Sequence, residues 1–164
     1  GTQLGLTYFD RKEQQAIYFN GPAFLYENQI NDTWAKGLEF QLSTSLGAQL
    51  NIQANYSWTQ VSDTAIRIPK HKANFNLQFS PSEFTQWSLS MAYTGKRVDT
   101  DFSTFEQKTL KAFSLIDFQY GFPLGLLNSR GFISVNNLAN VSFEETIGFQ
   151  TLGRNIRLGI ELGL

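Results

Sequence analysis

Between Gln49 and Thr59 the side chains sort into two alternating sets: Leu50, Ile52, Ala54, Tyr56 and Trp58 against Gln49, Asn51, Gln53, Asn55, Ser57 and Thr59. A β-strand points successive side chains to opposite faces, so this segment has one apolar, aromatic face and one polar face without charge. If the apolar face packs on a core, the strand belongs to a soluble sandwich. If it meets lipid, the amides face a wet or protein-filled lumen.

The same split recurs along the chain. A first strand is expected from Gln3 towards Phe19, ended by Asn20-Gly21-Pro22, and a second from near Leu25, clear from Gly37 onwards as Leu38, Phe40 and Leu42 alternate with Glu39, Gln41 and Ser43. After Ser62-Asp63 the chain returns through residues 66–69, and Ala73, Phe75, Leu77 and Phe79 then oppose Asn74, Asn76 and Gln78. Trp87, Leu89, Met91 and Tyr93 follow the Pro81 turn, then come a strand from Phe113 to Phe122 with apolar residues on both faces and a short one from Phe132 to Asn137. The last strand, Arg154 to Leu164, sets Leu158, Ile160, Leu162 and Leu164 against Arg157 and Glu161. The expected fold is therefore all-β, with eight antiparallel strands in up-and-down order and no helix. Its connections at Gly47, Pro81 and Pro123 are short, whereas those at 20–30, 95–110 and 138–153 are long loops; residues 62–66 belong by position with the long set but are brief. Short turns at one end and long loops at the other mark a transmembrane β-barrel.

Composition bears on which face is inside. Only 16% of the 164 residues are charged while 15% are aromatic, against about 25% charged in ordinary soluble domains. Water-facing strands recruit Lys, Glu and Arg, but the polar sets here are Gln, Asn, Ser, Thr and Gly, which suit packed protein or confined water. Thirteen Lys and Arg balance fourteen Asp and Glu without clustering, so nucleic acid is not an expected partner. With no cysteine, disulfides and thiolate metal sites are excluded. Trp87, just after a short turn, and Tyr56, Trp58 and Tyr93, towards the loop ends of their strands, are expected to form aromatic girdles. Glu39, Gln41, Asn51, Gln53, Asn55, Asn74, Asn76, Arg157 and Glu161 are expected to face the lumen. The alternatives are a complete eight-stranded barrel with a structural or enzymatic role and a soluble β-sandwich binding module.

Specific segments carry a resemblance. Tyr26-Glu27-Asn28, Ala35-Lys36-Gly37-Leu38-Glu39, Ile68-Pro69-Lys70-His71-Lys72-Ala73, Tyr93-Thr94-Gly95-Lys96-Arg97, Asn137-Leu138-Ala139-Asn140 and Gly148-Phe149 to Gly153-Arg154 resemble, in order and spacing, the landmarks of TonB-dependent outer-membrane receptors. The loop residues Asp99-Thr100-Asp101-Phe102 and Glu144 to Thr151 are most similar to those of vitamin B12 receptors. Two positions depart from the family pattern: Ala139 stands where an aromatic is common, and Leu164 stands where the last residue is usually Phe or Trp.

The resemblance implies a 22-stranded barrel closed by an N-terminal plug, of which residues 1–164 would form the last eight strands, with the plug and earlier strands encoded upstream. It implies a Gram-negative outer-membrane location, and as partners the lipid bilayer, the protein's own plug and the TonB complex. The implied activity is active import of a scarce large solute, a corrinoid or a metal–siderophore complex, without catalysis. On the loops, Arg97, Asp99, Asp101, Glu144 and Glu145 are the candidate ligand contacts. No resident cofactor is expected; Asp99, Asp101 and Glu106 offer oxygens for a loop calcium but lack the spacing of an EF-hand. His71, the only histidine, has no partners in sequence for a metal or catalytic role, and adjacent Glu144 and Glu145 point apart on an extended chain, so they form no acid–base pair.

Overall fold

The computed structural model describes residues 1–62, 65–125 and 129–162, and every regular element among them is a β-strand. In chain order these are β1 (Thr2–Glu13), β2 (Ile17–Asn20), β3 (Leu25–Asn28), β4 (Thr33–Leu46) and β5 (Leu50–Val61). There follow β6 (His71–Ser82), β7 (Thr85–Thr94), β8 (Arg97–Asp101), β9 (Glu106–Leu110) and β10 (Phe113–Pro123). The chain closes with β11 (Ser129–Asn136), β12 (Glu144–Thr146), β13 (Phe149–Gln150) and β14 (Asn155–Leu162). Eight of them form one antiparallel sheet in the order β1-β4-β5-β6-β7-β10-β11-β14, so each long strand pairs with the next long strand in the chain.

Register carries the period-two split across the whole sheet, since a one-residue slip in any pair would turn apolar residues to the amide side. Leu4, Leu42, Ala54, Phe75, Met91 and Ile116 line up as one row on the apolar face. Gly5, Gln41, Asn55 and Asn74 form the adjacent row on the other face. There Asn74 donates its Nδ2 to Asn55 Oδ1 at 2.9 Å, and Ser45 Oγ donates to Asn51 Oδ1 at 2.7 Å. Neutral amides thus satisfy one another across strands.

No apolar core covers the other face. Among the described residues only Ala35, Leu110 and Phe113 are buried apolar side chains, while Leu38, Phe40, Tyr56, Trp87 and Met91, on the inner strands of the sheet, are each 40–42% exposed. A soluble sandwich would bury that face under a second sheet, but the other sheets are two-stranded hairpins. The sandwich alternative fails on this point. A complete eight-stranded barrel fails on another, because β1 pairs only with β4 and β14 only with β11, leaving the sheet open.

Several boundaries differ from the sequence expectation. The first wall strand stops at Glu13, and Ile17–Asn20 instead pairs with Leu25–Asn28 as a separate hairpin; the second wall strand starts at Thr33. The return strand does begin after Pro69, at His71, since a proline nitrogen has no hydrogen to give a ladder; residues 65–70 lean on the next loop, where Arg67 donates its backbone N–H to Val98 O at 2.7 Å. Pro81 lies inside β6 at a register irregularity between Phe79 and Ser82, so the turn is residues 83–84. Gly47 does occupy a turn, with φ of 65°. The expectations at Asp63 and Leu164 fall outside the described residues.

Aromatic rings gather at both ends of the sheet. At the turn end the Trp87 and Tyr120 centroids are 4.2 Å apart, with Phe79 across from Trp87. At the loop end Tyr56 and Tyr93 flank Ala73 in one row, Trp58 faces Leu38 and His71, and the Tyr56 hydroxyl lies 2.7 Å from His71 Nδ1. His71 therefore sits on the apolar face as a polar partner for a tyrosine. Rings also cover glycines directly across strands, with Phe9 over Gly37, Phe122 over Gly131 and Phe132 over Gly159.

Candidate functional site

All three small hairpins, β2–β3, β8–β9 and β12–β13, stand at the end of the sheet carrying the long connections. Their turns are built locally. Asp101 accepts at Oδ1 from the Ser103 N–H (2.9 Å) and hydroxyl (2.6 Å), the arrangement by which Asp folds a turn onto itself. Its other oxygen accepts from Lys108 Nζ at 2.6 Å across the hairpin. Together Lys108 and Ser103 hold the Asp101 carboxyl well below its ordinary value, and Asp101 in turn raises Lys108.

The expected loop candidates come together, but mostly through buried contacts. Arg97 is 6% exposed; its Nη2 donates to the backbone carbonyls of Glu144 (2.6 Å) and Glu145 (3.2 Å), and its guanidinium lies 5.3 Å from the Phe113 ring centroid. Asp99 is fully buried. It accepts from Arg67 Nε at 2.7 Å, from the Thr100 N–H at 2.8 Å and from the Ile147 N–H at 3.0 Å. Burial pushes its carboxyl up, but the Ile147 N–H, Arg67 and the Thr100 N–H outweigh that and hold it below its ordinary value. Arg97 and Asp99 thus clip the β8–β9 hairpin to the loop carrying β12, and Glu144 and Glu145 take part through their carbonyls. Asp101 closes its own turn. Among the described residues no group of three or more His, Cys, Asp or Glu is gathered to hold a metal ion.

The clip has a testable sign. A carboxylate whose folded pKa is depressed contributes stability that is present above its unfolded value, about 3.9, and lost as pH falls through the lower folded value. Exchange protection of the Ile147 amide is therefore expected to persist from pH 7 to about 5 and to fall below about 4. Asp99→Asn should reproduce that loss at neutral pH, costing about 1–2 kcal/mol of loop docking; the figure sits low in the range for charged hydrogen bonds because Arg67 is 40% exposed. Unchanged protection in the variant would show that Asp99 does not hold the loops.

The Asn137-Leu138-Ala139-Asn140 segment is a built corner. Asn137 and Asn140 both take φ of 52°, a left-handed conformation that Asn tolerates better than most residues. Asn137 Nδ2 donates to Val141 O and its Oδ1 accepts the Val141 N–H, both at 2.8 Å, while Asn140 Oδ1 accepts the Arg154 N–H at 2.8 Å. Ala139 is exposed, so nothing here depends on an aromatic at that position.

A cleft of about 880 Å3 opens between the β2–β3 hairpin, residues 65–68 and the tip of β8–β9. Tyr18, Trp34, Ile66, Phe102 and Phe105 are among the residues that line it. The Phe105 ring closes over Gly21 and meets Phe24 edge-on with centroids 5.9 Å apart, which ties the two hairpins together. Glu27 accepts from the Tyr18 hydroxyl at 2.9 Å and from Asn20 Nδ2 at 3.1 Å, and the hydrogen bond to Glu27 raises the Tyr18 pKa. Sequence reading quoted Glu27 and Phe102 only as part of the resemblance and assigned none of these residues to a site; the signal present was the density of aromatics in segments otherwise rich in turn formers.

Comparison with known proteins agrees with this architecture. Residues 1–138 match the family model described as TonB dependent receptor-like, beta-barrel. The chain is 27% identical over 168 aligned positions to the vitamin B12 transporter BtuB of Vibrio cholerae serotype O1, covering 98% of this chain and 27% of that protein. It is similar in fold to the ferripyoverdine receptor of the Pseudomonas aeruginosa outer membrane, with a TM-score of 0.77, 16% identity, and coverage of 97% of this chain and 24% of the other. The FrpB iron transporter from Neisseria meningitidis gives a TM-score of 0.73, 17% identity, and coverage of 97% and 28%. The chain thus spans about a quarter of the length of the relatives it matches. An open, two-faced meander whose apolar face has no protein cover, with hairpins gathered at one end, is a section of barrel wall, and the chain belongs to the TonB-dependent receptor-like β-barrel family of the Gram-negative outer membrane.

Proposed function

We propose that this chain is part of an outer-membrane active transporter that imports a scarce, large solute, a corrinoid or a metal–siderophore complex, with energy transduced through TonB. The observation that carries the reading is an amide-rich face on β4, β5 and β6 opposite an apolar face carried in register across the sheet, crowned by a cleft among the long loops. Glu39, Gln41, Asn51, Gln53, Asn55, Asn74 and Asn76 would face a lumen shared with an N-terminal plug encoded upstream, and the chain would supply the last eight of the barrel's strands. Arg157, whose Nη2 lies 3.5 Å from Asn136 Oδ1, and Glu161, paired with Arg130 at 2.6 Å, would stand on that same wall. Tyr56, Trp58 and Tyr93 would anchor the outer lipid interface and Trp87 the inner one. The TonB complex would engage the upstream part, and no catalytic step or resident cofactor is required.

Support comes from the family membership, from a vitamin B12 transporter and siderophore receptors among the relatives, and from the exposure of the apolar face of the sheet among the described residues. The test is uptake. Cells expressing the full-length receptor should accumulate labelled cobalamin or a ferric siderophore only when both the receptor and TonB are intact. Accumulation that persists without TonB would overturn the reading.

A further inference from the structure

Resting on the transport reading, we infer that this section of the mouth selects an uncharged solute, one that joins broad apolar or ring surface to hydrogen-bonding groups, and that it disfavours polyanionic chelates. Among the described residues the cleft lining holds one cation, Arg11, and two anions, Glu13 and Glu27. Arg11 is already paired with Glu13 at 3.2 Å, and Glu27 is engaged by Tyr18 and Asn20. The cations behind the cleft are likewise occupied: Arg67, 5.7 Å from the Phe102 ring centroid, is bound to Asp99, and Lys108 is bound to Asp101. Lys36, which does not line the cleft, holds its amine 5.3 Å from the Trp34 ring centroid. A trianion entering here would meet a lining of net negative charge whose one cation, Arg11, stands beside Glu13, and such like-charge contact costs affinity and slows encounter.

The lining offers hydrogen bonds of another kind. Asn20, Asn28, Gln29, Asn31 and Gln107 contribute amides, each both donor and acceptor. The Gln29 Oε1 atom is buried and takes no hydrogen bond from the described residues. A buried acceptor left unpaired costs free energy, and a ligand N–H or O–H would recover it. Beside these amides stand Phe102 and Phe105 at the tip of the β8–β9 hairpin, apolar surface for the flank of a large solute. Rings plus amides without spare charge match a neutral solute with amide or hydroxamate edges.

The experiment is equilibrium binding to the full-length receptor in detergent, with three probes: cyanocobalamin and ferrichrome, both uncharged, and ferric enterobactin, a trianion. At least one uncharged probe should bind at least about tenfold more tightly than the trianion. Phe102→Ala should weaken the uncharged probe by about tenfold or more, as loss of a central aromatic contact does. Gln29→Lys should weaken it as well and narrow the gap to the trianion. A heat-modifiable band on electrophoresis certifies that each variant is folded. Tighter binding of ferric enterobactin would overturn the inference while leaving transport intact, and so would indifference of the uncharged probe to both substitutions. If none of the probes binds and no solute is accumulated in a TonB-dependent way, the transport reading itself falls.

Discussion

Ala54→Arg is expected to destabilise the folded receptor by about 2–4 kcal/mol, the cost of a cation on the lipid face near the middle of a transmembrane barrel. Ala54 lies between Leu42 and Phe75 on the flanking strands, four residues from Trp58 in the outer aromatic band and four from Leu50, whose partner Phe79 pairs with Trp87 in the inner one, so it is midway between the two bands. Asn55→Arg, one residue further on, turns the same charge to the amide face. It forfeits the 2.9 Å bond from Asn74, worth about 0.5–1.5 kcal/mol, but leaves the cation among polar groups. Denaturant unfolding of both variants in liposomes decides the matter. Equal costs, or a larger cost at Asn55, would mean that the apolar face does not meet lipid.

Gly37→Val is expected to prevent assembly of the wall. A Cβ at Gly37 would collide with the Trp58 carbonyl oxygen and come within 2.8 Å of the Phe9 ring. A ring can swing aside, but the carbonyl belongs to the β4–β5 ladder and cannot move without breaking it. Overpacking in a place that can relax costs about 1–3 kcal/mol, and this one should exceed that range because backbone must shift. The readout is the folded, heat-modifiable band on refolding into detergent, expected to be absent for Gly37→Val and restored in part by Gly37→Val with Phe9→Ala only if the ring, not the carbonyl, is the obstacle. A normal folded band for the single variant would show that Gly37 is not needed for close strand approach.

The long strands were legible because each is two-faced, and a period of two is visible without neighbours. Gln49 to Thr59 announced its register parity before any partner was known, and β4, β6 and β7 follow from the same alternation. The strand from Phe113 was less tidy because Phe113 packs on Phe143, at 4.3 Å between centroids, and beneath Arg97, which places an aromatic on the amide side. Hairpins inside the loops escaped notice for a different reason: strands such as Ile17–Asn20 and Phe149–Gln150 are too short to show alternation, and their pairing depends on turns with positive φ at Phe24 and Gly148. The fate of the loop charges was also illegible. Formal charge can be read from sequence but burial cannot, so nothing in Arg97 or Asp99 announced that each would be spent on backbone groups some 47 or 48 residues away. Nor could the cleft be foreseen, because the β2–β3 hairpin, residues 65–68 and the tip of β8–β9 come together only when separate loops are docked.

The meander has a consequence for inheritance. Since every long strand pairs with its chain neighbour, each loop begins and ends on adjacent strands, and a loop can be replaced as a cassette without altering the register of the wall. Loops that grip one another depart from this, and residues 95–112 and 137–154 do so through buried charge. Arg97 and Asp99 on one grip the main chain of Glu144, Glu145 and Ile147 on the other, so the two segments are bound to travel as a pair. Recombination that exchanged one alone would strand a buried guanidinium and a buried carboxylate.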